Sequence, residues 1–207
     1  MGKSVQRDRQ KSLKRTFVHV GEVYGAPGDV LLATDAACDS ARAAGGFVST
    51  TGVFGFRGHG YSQDLVQGQA RVVVSELRAV YWGLVNLFGS GLSVSTPLTV
   101  LCDSPEALAL MKDWRHGSHQ MPTGYRDWRL SGSKPTLEKL REMLVYTENV
   151  KTARVKGHEG HPLNELADSL AKLALRGSRG SVEVDRATEI SRAWAAQALR
   201  DFQRSRA

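Results

Sequence analysis

Residues 155–168 crowd His158, His161, Asp168 and Pro162 together, with Gly157 and Gly160 on either side of the first histidine. Imidazole titrates near neutral pH, and flanking glycines leave its loop free to move, so His158 is suited to proton transfer. Taken alone, the segment would equally describe a capped surface helix with solvated charges. Three further carboxylates stand in suggestive places. Asp35 and Asp103 follow the apolar runs at 30–33 and 98–102, and Glu76 opens a helical pattern. Ligands of open α/β sheets gather beyond the carboxyl ends of strands, which is where the two aspartates are expected.

Each carboxylate taken singly is compatible with a solvated loop end. Held together beside apolar segments, Asp35, Glu76, Asp103 and Asp168 would need cations, because burying an uncompensated carboxylate is costly. Oxygen ligands of this kind select Mg²⁺, with Mn²⁺ as a substitute, and leave room for water and a substrate phosphate. The chemistry such a set serves is phosphodiester hydrolysis, in which two ions activate the attacking water and stabilise the leaving oxygen. A zinc site on His158 and His161 fits poorly, since no cysteine or third histidine nearby completes a tetrahedron. His161 reads as structural, at the start of a helix.

The elements that would position these groups alternate between strand and helix. The run at 29–34 fits a buried strand ending at Asp35, and residues 45–60 suit paired strands joined by a Thr-Thr-Gly turn. Residues 72–74, three valines, read as strand or extended lead-in. Leu77, Val80, Leu84 and Leu87 then recur at helical spacing over 75–88, closed by Gly89. A strand at 98–102 leads to Asp103, and Ser104 and Pro105 supply an N-cap and a first helical residue. A helix at 136–146 and a strand at 150–155 follow, then a helix at 162–175 and an amphipathic helix near 186–203. Strands first, then alternation, predict a mixed α/β domain.

The chain has 207 residues, enough for one ordinary domain with tails. Its formal charge of +7 lies at the ends. Lys3, Arg7, Arg9, Lys11, Lys14 and Arg15 face only Asp8 within residues 1–16, and residues 176–207 carry seven arginines against four acids. The stretch between is nearly neutral, so the basic pI alone does not make the domain a nucleic-acid binder. No apolar run reaches the roughly 18 residues that span a bilayer, and the basic N-terminus leads into no apolar stretch, so neither membrane nor secretory signal is expected. Cys38 and Cys102 form no disulfide framework and imply a reducing, cytoplasmic setting. The expected organisation is a basic tail and loop at 1–28, a catalytic domain at 29–176, and a C-terminal extension at 177–207.

Four motifs then carry a resemblance. Thr34-Asp35-Ala36-Ala37-Cys38, Ser75-Glu76-Leu77-Arg78-Ala79, Cys102-Asp103-Ser104, and the segment from Val155-Lys156-Gly157-His158 to Ala167-Asp168-Ser169-Leu170-Ala171 follow the order of type 1 ribonuclease H. The chain from about 29 to 176 resembles that family, within the larger ribonuclease-H-like superfamily. The resemblance implies a mixed central sheet flanked by helices, and a two-Mg²⁺ endonuclease that cuts the RNA strand of RNA–DNA hybrids and leaves a 3′-hydroxyl. It implies Asp35, Glu76, Asp103 and Asp168 as the metal ligands, and His158 on a mobile loop for proton transfer or product release. Ala36, Cys38, Ser104, Asn164, Trp114 and Arg115 are the expected substrate contacts, on a protein working as a monomer.

Two departures bear on specificity. Ala36-Ala37 replace the usual Gly-Ser after the first aspartate, and valines occupy 72–74 where many relatives carry asparagines. Valine cannot hydrogen-bond a 2′-hydroxyl, the group by which proteins tell RNA from DNA. Gln67 or Gln69 could supply that contact instead. Residues 112–135 retain the basic and aromatic character of a strand-gripping protrusion, with Lys112, Trp114, Arg115, His116, Tyr125, Arg126, Trp128, Arg129 and Lys134. A nuclease of the same fold with another DNA or RNA substrate, and a non-catalytic nucleic-acid-binding module, remain the alternatives.

Overall fold

The computed structural model describes residues 16–60, 69–125, 133–157 and 159–206. Six strands form one sheet: β1 (Phe17–Glu22), β2 (Val30–Cys38), β3 (Arg42–Ser49), β4 (Val53–Gly60), β5 (Leu98–Cys102) and β6 (Val150–Arg154), in the order β1-β4-β3-β2-β5-β6. The β1/β4, β4/β3 and β3/β2 pairs are antiparallel, whereas β2/β5 and β5/β6 are parallel. The described helices are α1 (Gln69–Gly89), α2 (Pro105–Arg115), α3 (Thr136–Tyr146), α4 (Pro162–Ser178) and α5 (Val184–Arg206). The mixed α/β fold anticipated from the element order is the one observed.

Alternation along the strands sends neighbouring side chains to two separate cores. Leu32, Phe47, Val100 and Cys102 pack with α1, α2 and α3 on one face. Ala33, Val48, Phe54, Phe56 and Leu101 pack with α4 and α5 on the other. Gly46 is what lets α4 lie directly on the sheet. A Cβ there would come within 2.3 Å of the Ala167 carbonyl oxygen and 2.6 Å of the Ala171 nitrogen. α2 begins as its sequence predicts, with the Ala107 N–H donating to the Ser104 hydroxyl at 3.2 Å and Pro105 in the first turn.

Three boundaries differ from the sequence reading. β1 falls within 1–28, the stretch read as tail and loop, because Phe17 sends its ring into the core while the strand completes the edge of β4. β2 continues past Asp35 to Cys38, because β3 still pairs with it there. The valines at 72–74 are helical, since α1 has begun by Gln69. Val73 and Val74 are buried and Val72 is exposed. α1 is also long and apolar enough, over Ala70–Gly89, to cross a bilayer by length and composition. Val74, Leu77, Val80, Leu84 and Leu87 nevertheless spend that apolarity on the sheet.

Candidate active site

Asp35 sits inside β2, opposite Gly46 of β3. The parallel register that pairs Ala33 with Leu101 brings Asp103, the first residue after β5, level with Asp35 two positions on. Two aspartates thus stand level, one within β2 and the other just past the end of the parallel β5. Glu76 reaches the same place from the second turn of α1, and Asp168 comes from α4, the helix that covers Gly46. All four carboxylates expected from the sequence converge. Their charges are felt mutually, by Asp35 from Asp103 and Asp168 and by Glu76 from Asp35 and Asp103.

Burial makes this crowding consequential. Asp35 is 7% exposed and Glu76 4% exposed. Desolvation first, and the Asp103 charge next, push the Asp35 carboxyl up to about 7, against the bond that the Ala36 N–H donates to its Oδ1 at 2.7 Å. Desolvation and then Asp35 and Asp103 raise Glu76 well above the usual carboxylate range, helped by a proton shared with Asp35. The Glu76 Oε2 atom is buried with no hydrogen-bond donor facing it. Asp168 is placed differently, with the Lys172 ammonium 2.6 Å from its Oδ2.

An orphaned buried oxygen and clustered carboxylates are what a hard divalent cation requires. One oxygen from each of Glu76 and Asp103 and the Cys102 sulfur lie within 4.8 Å of one another. Burial and the neighbouring Glu76 hold the Cys102 thiol far above its ordinary value, so it stays protonated. A protonated thiol is no ligand for Mg²⁺, which leaves the oxygens of Asp35, Glu76, Asp103 and Asp168 as the set that fits.

The remaining expected residues divide. Ala36 and Cys38 follow Asp35 along β2 and are half-buried, and the Ala36 N–H donates to the Asp35 carboxylate. Ser104 is half-buried and its hydroxyl is engaged as the cap of α2. Trp114 is corrected. It is fully buried in the core, its indole N–H donates to the Gln120 carbonyl at 2.7 Å, and it cannot touch a substrate. Trp114 and Arg115 also close α2 at the end away from Asp103, about 15 Å along its axis. The Arg115 Nε and Nη2 atoms are buried without partners. Asn164 is 3% exposed in the first turn of α4, and its Oδ1 is enclosed with no partner. His158, Gln67, Arg126, Trp128 and Arg129 lie outside the described residues, as does the side chain of Gln69.

Two participants were missed from the sequence. Lys172 stands one helical turn after Asp168, an i,i+4 spacing that was there to be read. Gly157 is the second, because a Cβ on it would lie 2.8 Å from the Asp103 Oδ2. Nothing in a lone Lys-Gly-His string announces that contact.

Comparison with known proteins agrees with this geometry. The family model for RNase H matches residues 27–176. A ribonuclease H of Anaeromyxobacter dehalogenans is 33% identical over 114 residues, 53% of this chain and 57% of that protein. One from Tropheryma whipplei is 38% identical over 82 residues, covering 38% of this chain and 48% of its own. A ribonuclease H of Neisseria meningitidis serogroup C is 32% identical over 148 residues, 69% of this chain and 92% of its own length. The match therefore spans little more than half of the Anaeromyxobacter protein, about half of the Tropheryma protein and nearly all of the Neisseria one. With β2, α1, β5 and α4 inside the matched region and their four carboxylates gathered at one place, the chain belongs to the RNase H family.

Proposed function

We propose that the protein is a divalent-metal-dependent endonuclease that hydrolyses the RNA strand of RNA–DNA hybrids. The observation that carries this reading is the buried Asp35–Glu76 pair beside Asp103, with no ion pair to any of the three among the described residues. Such a concentration of negative charge is stable only when protonated or when cations occupy it. The names of the matched relatives support the substrate class.

Asp35, Glu76, Asp103 and Asp168 would hold two Mg²⁺ ions, which when bound neutralise the scissile phosphate and ease ionisation of the attacking water. The chain's own groups do the rest. The Ala36 N–H fixes Asp35, and the α1 packing fixes Glu76, so the ligand set is organised before substrate arrives. The water oxygen adds to phosphorus as the bond to the 3′-oxygen breaks, and the leaving oxygen takes up a proton. We assign that proton transfer to His158, between Gly157 and Gly160. Recognition of the 2′-hydroxyl falls to the backbone of residues 36–38, because Val73 and Val74 point into the core. The free thiols of Cys38 and Cys102 fit a reducing cytosol.

The test is a panel of labelled hybrid, duplex and single-stranded substrates with Mg²⁺ or EDTA. Hybrid cleavage should depend on Mg²⁺, and Asp35→Asn or Asp103→Asn should abolish it while hybrid binding persists. Wild-type cleavage by Asp35→Asn would overturn the site. Preference for another substrate would support the related-nuclease reading, and binding without turnover a non-catalytic module.

A further inference from the structure

The matched family region ends at residue 176, yet the chain continues into α5, which packs against α4 and β1. Ala187, Ala195, Leu199 and Phe202 of α5 are buried in the same core as Leu163, Leu166 and Leu170 of α4. The last turns of α5 are tied down further. Gln203 donates to the Gly25 carbonyl at 3.5 Å, Arg206 lies 3.4 Å from the Asp29 carboxylate, and the Arg206 guanidinium sits 5.6 Å from the centre of the Phe202 ring. Phe202, 4% exposed, presents its ring to His161, with centroids 5.9 Å apart at 48°.

His161 is where the loop from Gly157 enters α4. Its side chain makes no cap hydrogen bond, and its buried Nδ1 reaches no donor or acceptor of another residue. Phe202 supplies a packing contact to this ring. At its other end the same loop rests on the active site, where a Cβ on Gly157 would come 2.8 Å from the Asp103 Oδ2. A loop with two anchors, one of them a ring contact from outside the family region, can be displaced from that outer end.

We propose that Phe202 is a positioning residue for Gly157 and residues 159–161, acting through His161. Through that one ring, α5 sets the loop against Asp103. The kinetic half of this inference rests on the nuclease reading above; the structural half does not.

Phe202→Ala should speed amide exchange over 155–161 and lower kcat for the hybrid about tenfold with KM unchanged, the signature of a misplaced group. Phe202→Tyr, which keeps the ring, should restore both. Leu199→Ala removes another buried α5 core side chain while leaving the Phe202 ring in place, and should lower the melting temperature while leaving kcat and loop exchange as in wild type. If Phe202→Ala does not fold, Phe202→Leu keeps the apolar volume and removes the ring, and should show the same loop loosening. Wild-type exchange and kcat in Phe202→Ala, or equal losses in Leu199→Ala, overturn the proposal. Should the wild-type protein cut no hybrid, the nuclease reading fails, and the exchange measurement still decides whether Phe202 holds the loop.

Discussion

The Lys172 ammonium lies 2.6 Å from the Asp168 carboxylate, one turn further along α4, and among the described residues no such cation accompanies Asp35, Glu76 or Asp103. The cluster is thus divided. Two buried carboxyls resist ionisation, while Asp168, at the rim, is paired with a lysine of its own helix.

If Asp168 holds a cation as proposed, Lys172 competes with it for that carboxylate. Its side chain is 53% exposed, so the pair is screened and modest in strength. Lys172→Ala should lower the Mg²⁺ concentration for half-maximal cleavage by about twofold, with little change in melting temperature. A metal titration of both proteins checks this. A requirement raised severalfold would mean instead that Lys172 holds Asp168 in its binding position.

Stability without metal should depend on pH through Asp35. Folding raises this carboxyl from 3.8 to about 7, and Glu76 shifts in the same direction. A carboxyl raised on folding binds its proton more tightly in the native state. Its contribution is fully present below the unfolded value and is lost as pH rises through about 7. In EDTA the melting temperature should therefore fall between about pH 4 and about pH 7, by roughly 5 °C or more. Mg²⁺ should restore it far more at the higher pH, and Asp35→Asn in EDTA should flatten the profile. A metal-free profile as steep in Asp35→Asn as in wild type contradicts the assignment to this group.

Gly157 offers a way to disturb the centre without disturbing the fold. Its backbone is outside the left-handed region, so alanine is conformationally acceptable, but the new Cβ meets the Asp103 Oδ2 at 2.8 Å. The carboxylate must rotate to make room. Gly157→Ala should keep the melting temperature within about 2 °C and lower kcat about tenfold. Unchanged turnover with Asp103 still required for cleavage would show that the carboxylate tolerates the move.

Much of the fold was legible locally. Helical spacing of Leu77, Val80, Leu84 and Leu87, and the cap formed by Ser104 and Pro105, act within a few residues, so they survive in a linear string. β1 was not, because its edge position depends on β4 and on Phe17 finding a core that only α4 and α5 create. The valines at 72–74 misled for a related reason: β-branched residues favour strands by propensity, and burial of Val73 and Val74 against the sheet overrides it.

By itself the sequence determined which residues could do the chemistry: Asp35, Glu76, Asp103 and Asp168, in an order that matches the family, with a histidine between glycines. Carboxylate chemistry is a property of residue type, and the segments that carry it announce themselves by pattern. Tertiary structure alone decided how those groups behave. The β2/β5 register sets Asp35 beside Asp103, burial raises Asp35 and Glu76 while leaving Asp168 at the rim, and Trp114 and Asn164 are withdrawn into the interior. Desolvation and charge–charge energy depend on distances across the fold, between residues far apart in the chain, and no spacing along the sequence encodes them.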